Sequence, residues 1–371
     1  MRIGVPREIK IHEYRVGLTP ASVRELVVHG HQVIVQKDAG FRIDLSDDRY
    51  RAVGAEIVET AEEIYAQADL IVKVKEPQSA EIPWLREGQI VFTYLHLAPD
   101  PVLARGLINS GCIAIAYETV TDSYGGLPLL APMSEVAGRM SIQAGAHTLE
   151  MNQGGRGMLL GGVPGVPAAR VVVIGGGVVG TNAARVAMGM EAHVTVLDKS
   201  IHRLQQLDFQ FGSQLNTVFS TVDAIEEHVS TADLVIGAVL VPGGATPKLV
   251  SRDMVGRMNR GSVLVDVAID QGGCFATSRP TTLADPIYTI DGVVHYCVSN
   301  MPGAVARTST FALNNVTLPF VLALANKGYQ KALTEDAHLR NGLNVYRGRL
   351  THEAVARDLG EACVAAMDML S

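Results

Sequence analysis

The chain has 371 residues, 47% hydrophobic and 19% charged, a balance that suggests two well-cored domains and excludes a disordered chain. Its net charge of −7, with no Lys/Arg run, argues against nucleic acid or an anionic membrane surface as the main partner. The four cysteines, Cys112, Cys274, Cys297 and Cys363, form no CxxC pair, so a reduced intracellular compartment is the default, and nothing reads as a metal site.

Met1 to Lys10 lacks an apolar signal core. The richest apolar stretches are broken by Gly or Pro or carry Asn314 and Asn315, so no span of about 20 residues is expected to cross a bilayer, and the expected location is cytoplasmic. Residues 1 to about 120 alternate short apolar runs with helical patterns: Ile3 to Val5, a helix over Pro20 to His29, a strand at Gln32 to Gln36, and runs at Leu70 to Val74, Ile90 to Leu95 and Ile113 to Ala116. They predict a parallel α/β domain without a glycine fingerprint. Tyr124 to Pro132, rich in glycine and proline, reads as the crossing to a second domain. Met133 to Met151 predicts a helix, with Ser134 near its start as a possible cap and Glu135 in its first turn, and Gln153 to Pro167 reads as a loop.

The stretch from Val171 to Asp198 carries most of the functional signal. Val171 to Ile174 is an apolar run bounded by glycine, as in a strand buried on both faces. Ala183, Ala184, Val186, Ala187 and Met190 keep helical spacing after it, and Gly175, Gly177 and Gly180 fill the places of GxGxxG between them. Gly175 makes the tight turn, Gly177 lets backbone approach a pyrophosphate, and Gly180 lets helix and strand pack closely; the helix N-terminus then faces an anion. A second strand, His193 to Leu197, ends at Asp198, where a carboxylate can accept hydrogen bonds from a ribose 2′-hydroxyl, which argues for NAD over NADP. Lys199, His202 and Arg203 qualify that reading, since basic groups there could host a 2′-phosphate.

Strand-helix alternation continues through Leu234 to Val241 and Val263 to Ile269 and reaches His295 to Met301. Thr308 to Lys327 predicts a long apolar helix, bent or started near Pro319. The remaining segment is too short for a third core and is expected to pack back on the first domain. The expected fold is α/β with two Rossmann-like domains: an NAD-binding domain at 129–306 and a discontinuous substrate domain at 1–128 and 307–371, with an active-site cleft between them.

In open parallel sheets ligands bind outside the carboxyl ends of strands. Lys75 follows Leu70 to Val74, His96 follows Val91 to Leu95, Asp270 follows Val263 to Ile269, and Arg15 lies in the loop after the first strand. Each alone is as well explained as a surface charge, a strand-end histidine or a turn former. Together they suit oxidation of a small carboxylate substrate: Arg15 holds the carboxylate through its planar fork, Lys75 polarises a carbonyl oxygen, and His96 moves a proton near neutral pH. Asp266 and Lys73 fall inside apolar runs and are expected to face solvent or a structural partner instead.

The sequence closely resembles the bacterial alanine dehydrogenases over essentially its full length. The matching segments are Gly-Val-Pro-Arg-Glu at 4 to 8, Tyr-Arg-Val-Gly-Leu-Thr-Pro at 14 to 20, Val-Lys-Glu-Pro at 74 to 77 and Tyr-Leu-His-Leu at 94 to 97. They continue with Leu-Leu-Ala-Pro-Met-Ser-Glu-Val-Ala-Gly-Arg at 129 to 139, Gly-Gly-Arg-Gly at 154 to 157, and Asp-Val-Ala-Ile-Asp-Gln-Gly-Gly at 266 to 273. The resemblance implies reversible oxidative deamination of L-alanine to pyruvate and ammonium with NAD, by a homohexamer. It implies substrate binding by Arg15 and Lys75, acid-base work by His96 and a second catalytic group in Asp270. For NAD it points to Ser134, the backbone at Val178 and Val179, Asp198, Arg203, Ser220, Val239, Leu240, Val267, Ala268, Ile269, Asp270, Val298, Ser299, Asn300 and Met301. The alternative relative is the NAD-binding subunit of proton-translocating transhydrogenase, which looks different around Lys75 and His96. A catalytically silent NAD-sensing module is a third reading, and loss of one of the four substrate-site residues would be its expected signature.

Overall fold

Short apolar runs have few ways to bury both faces, and a parallel sheet covered by helices is the commonest. The computed structural model, which describes residues 1–239 and 246–370, has two such sheets. In chain order the strands are β1 (Arg2–Val5), β2 (Gln32–Gln36), β3 (Glu56–Val58), β4 (Leu70–Val72), β5 (Ile90–Thr93), β6 (Ile113–Ala116), β7 (Arg170–Ile174), β8 (His193–Asp198), β9 (Leu215–Phe219), β10 (Leu234–Gly237), β11 (Val263–Asp266), β12 (Ile287–Ile290), β13 (Val293–Tyr296), β14 (Leu343–Tyr346) and β15 (Arg349–Leu350).

The first sheet has the order β15-β14-β6-β5-β4-β1-β2-β3 and the second β12-β13-β11-β10-β7-β8-β9. Each runs third, second, first, fourth, fifth, sixth in its parallel strands, the doubly wound order, with antiparallel pairing only at one edge. Strands β4, β5, β6, β10 and β11 are buried along their whole length, as strands covered on both faces must be.

The chain divides into two compact units, Met1–Pro132 with Ala306–Ser371, and Met133–Val305. The C-terminal segment enters the first unit by pairing β14 antiparallel to β6. A helix spans Ala131–Thr148, so Ser134 lies inside it and is not its cap, which corrects the expectation of a start at Met133. The helix Ala306–Lys327 carries Pro319 internally. Contrary to the expectation that no span qualifies, the stretch Met301–Lys327 is long and apolar enough by length and composition to cross a membrane. Its Asn314 is buried, however, and its Oδ1 accepts the Thr19 N–H at 2.8 Å and the Ser22 hydroxyl at 2.9 Å, contacts of a core helix.

Candidate functional site

In the first unit the strand order reverses between β1 and β4, and the loops leaving β1, β4 and β5 carry Arg15, Lys75 and His96. Strands β4 and β5 end at Val72 and Thr93, earlier than the apolar runs suggest. The reason is a change of hydrogen-bond partner. Val74 and Lys75 donate their N–H groups to Glu8 Oε1, at 2.7 and 3.2 Å, and Leu95 and His96 donate theirs to Glu118.

Arg15 is 3% exposed, and Glu13 grips its fork through Nε to Oε1 at 2.7 Å and Nη2 to Oε2 at 2.6 Å. Burial opposes the guanidinium charge, but Glu13 outweighs it and holds the pKa raised. Lys75 is half-buried, and its ammonium makes no hydrogen bond or ion pair among the described residues. Burial, with the Arg15 charge adding to it, lowers the Lys75 pKa from the ordinary lysine value. His96 stands at φ +50°, in the left-handed region, with Nδ1 4.0 Å from Glu76 Oε2 and its ring 5.8 Å from that of Tyr94. Glu76 in turn accepts from Lys10 Nζ at 2.5 Å; burial pushes its carboxyl up, but Lys10 and Lys75 prevail and hold its pKa low. A cavity of about 590 Å³ opens beside Arg15 and is also lined by Lys10, Glu13, Tyr14, Asp38 and Arg42. Lys73 has a structural partner and not solvent: it is fully buried between Glu81, at 2.9 Å, and Glu8, at 3.2 Å.

In the second unit the three glycines meet three different constraints. Gly175 has φ +101°, and a side chain on Gly180 would strike the Gly175 carbonyl oxygen at 1.8 Å. A Cβ on Gly177 would meet nothing within 4 Å, so the backbone at the N-cap of helix Val178–Gly189 is open to an approaching group. Open backbone at a helix N-terminus suits a pyrophosphate, so these residues fit a dinucleotide. Val178 is exposed and Val179 half-buried in the first turn of that helix.

Asp198 ends β8 and accepts from Gly176 N at 2.7 Å and Ser200 N at 2.8 Å. Arg203 folds over the glycine turn, donating Nε to Gly176 O at 2.6 Å, Nη2 to Thr181 Oγ1 at 2.5 Å and Nη1 to Gln206 Oε1 at 2.8 Å. Ser220 is buried after β9, its N–H on the Asp198 carbonyl at 3.0 Å. Val239 follows β10, while Leu240 lies outside the described residues.

The run expected as strand to Ile269 ends at Asp266, and Val267, Ala268, Ile269 and Asp270 lie in the 3-10 helix Val267–Gln271. Asp266 starts that turn by accepting the Ala268 N–H at 3.1 Å and holds the next segment by accepting from Cys274 N at 2.9 Å and Ser278 Oγ at 2.5 Å. It is fully buried, with a structural partner set, whereas Asp270 is exposed. Val298 and Met301 are buried, Ser299 and Asn300 are half-buried, and Asn300 has φ +63°. The sequence reading missed Glu8, Glu13, Glu76 and Glu118. Glu118 was open to the strand-end rule that selected His96, since it follows β6.

Family models described as Alanine dehydrogenase/PNT, N-terminal domain and C-terminal domain match residues 4–137 and 141–353. An alanine dehydrogenase of Halomonas elongata is 62% identical over 370 residues, covering 100% of both chains. A solved L-alanine dehydrogenase has a TM-score of 0.95 at 51% identity, covering 97% of this chain and 99% of that one. A transhydrogenase structure from Sinorhizobium meliloti has a TM-score of 0.83 at 23% identity, covering 95% and 100%, which is a likeness of fold. With both halves matched and the identity spread along the whole length, this chain belongs to the alanine dehydrogenase/PNT family.

Proposed function

We propose that the chain is an NAD-dependent L-alanine dehydrogenase, converting L-alanine reversibly to pyruvate and ammonium. The observation that carries this is the half-buried Lys75 ammonium, without an ion pair among the described residues, on a loop beside those that carry Arg15 and His96. A cofactor-binding module has no need of a desolvated amine there. When bound, NAD supplies the hydride acceptor for the substrate carbon. Gly175, Gly177, Gly180, Val178 and Val179 would hold its pyrophosphate and Asp198 its ribose.

The other tasks belong to side chains. Arg15, kept cationic by Glu13, binds the substrate carboxylate. Lys75 polarises the substrate oxygen, and His96 takes a proton during deamination and returns it during amination. Asp270 supplies a negative charge that stabilises the cationic iminium and orients the attacking water. Assembly as a homohexamer, implied by the family resemblance, and a cytoplasmic location, expected from the unpaired cysteines and the lack of an apolar signal core, complete the reading. Purified protein mixed with L-alanine and NAD should produce NADH, read at its absorbance band. Tight NADH binding without turnover would turn the reading toward a cofactor-binding subunit of the transhydrogenase kind.

A further inference from the structure

We infer that Glu118 is a positioning residue for His96, fixing the imidazole through the backbone that carries it. The inference rests on the acid-base role proposed for His96. A non-glycine residue at φ +50° pays a steric cost and stays there only when its surroundings impose it. What imposes it is one carboxylate. His96 N lies 2.6 Å from Glu118 Oε1, and Leu95 N lies 3.1 and 3.2 Å from Oε1 and Oε2. Two successive N–H groups converging on one anion require a backbone that a neutral or absent partner would not hold, because the two amide dipoles repel. Glu76 approaches the ring at 4.0 Å, beyond hydrogen-bond reach, and so does not fix the backbone.

Glu118 is itself held from below. It sits in the 3-10 turn Tyr117–Thr119 that follows β6. Tyr117 is fully buried and packs edge-on against Phe92, with centroids 4.4 Å apart, and against Tyr94 at 5.1 Å. Thr119 Oγ1 accepts from Asn344 Nδ2 at 2.8 Å, and Ala116 N donates to Gly342 O at 2.7 Å. The C-terminal segment around β14 thus braces the turn that presents Glu118.

The test is a double-mutant cycle on the full-length enzyme, with rates in both directions and NADH titration for Glu118→Ala, Glu118→Gln, His96→Ala and Glu118→Ala/His96→Ala. Glu118→Ala should lower kcat by roughly 10- to 100-fold, the scale of a misplacement of about 1 Å, with NADH affinity unchanged. Glu118→Gln keeps one acceptor oxygen for His96 and should fall between wild type and alanine. The double variant should be no slower than His96→Ala, because Glu118 acts through that side chain. Full additivity, or a Glu118→Ala rate near wild type, overturns the inference. A near-normal rate for His96→Ala refutes the role of His96 instead. If Glu118→Ala does not fold, Glu118→Gln carries the same cycle.

Discussion

Lys73→Met removes a cation with little change of volume, and its cost follows from what surrounds Nζ. Lys73 is 1% exposed, between Glu81 and Glu8, and Tyr65 donates its hydroxyl to the same Glu81 oxygen at 3.2 Å. Burial opposes the ammonium, but Glu8 and Glu81 outweigh it and raise the pKa above 10.5. The stabilisation from this charge is therefore complete below 10.5 and is lost as pH rises through the raised value. Burial pushes the Glu8 carboxyl up, against the pull of Lys73, so Glu8 is an anion that its surroundings already disfavour. Its ionisation costs stability as pH rises from the unfolded carboxylate value through the raised folded one.

Without Lys73 two buried carboxylates stand uncompensated, a loss of about 3–5 kcal/mol for breaking a buried pair. That is roughly 6–20 °C in melting temperature for a domain of about 150–250 residues. Thermal melts of wild type and Lys73→Met between about pH 5 and pH 9 measure it. The deficit should be largest at the alkaline end and shrink on acidification, as protonation neutralises the orphaned Glu8, whose carboxyl burial already pushes up. A melting temperature within about 2 °C of wild type at pH 8, or a deficit that grows as pH falls, would refute the account.

Arg15→Lys should raise KM for alanine about 10- to 150-fold, the equivalent of about 1.5–3 kcal/mol, with NADH affinity unchanged, because an ammonium copies neither the carboxylate grip nor the Glu13 pair; unaltered alanine kinetics would take Arg15 out of the site. Asp198 should make NAD strongly preferred over NADP, and Asp198→Ala should narrow the ratio, partly by freeing the Gly176 and Ser200 amides; equal kcat/KM for both cofactors in the wild type would overturn it. Asp270→Asn should cut kcat sharply without weakening NADH, since an exposed side chain loses its charge at no packing cost; normal turnover in that variant would remove Asp270 from catalysis. Asp266→Asn should instead destabilise by about 1–3 kcal/mol in a denaturant melt, because its NH2 group must face amide and hydroxyl donors; an unchanged midpoint would contradict the hub seen around it.

Strand identity was legible because a buried parallel strand needs a continuous apolar run, and Val171 to Ile174 or Ile113 to Ala116 offers nothing else. Strand ends were not, because a run such as Val263 to Ile269 stays apolar after the ladder stops. What stops it is a side chain, Asp266, that competes for the next amide. The same blindness hid Glu8, Glu13 and Glu118. A glutamate in a loop looks like solvated charge, and only three-dimensional closure shows that Glu118, on the loop after β6, meets the amides at positions 95 and 96. The family resemblance pointed to Arg203 for the cofactor, but its bonds to Gly176 and Thr181 depend on how the helix Ile201–Phe211 lies over the glycine turn.

Three of the missed glutamates, Glu8, Glu13 and Glu118, share one physical task. The side chains proposed to act on substrate sit on loops past the strand ends, where the ladder no longer satisfies the backbone, and turnover would need them placed to a fraction of an ångström. Glu13 holds the Arg15 amide at 3.1 Å and its side chain as well, Glu8 the Lys75 amide, and Glu118 the His96 amide. A carboxylate can accept several N–H groups at once, and bonds to a charged acceptor are about twice as strong as neutral ones. One anion can therefore anchor a loop that no strand supports. The disadvantage is negative charge brought into low dielectric, and Arg15 and Lys73 answer it, one against Glu13 and the other against Glu8 and Glu81. On this view Lys73 contributes to activity indirectly, because the charge that it balances on Glu8 is the charge that holds Lys75.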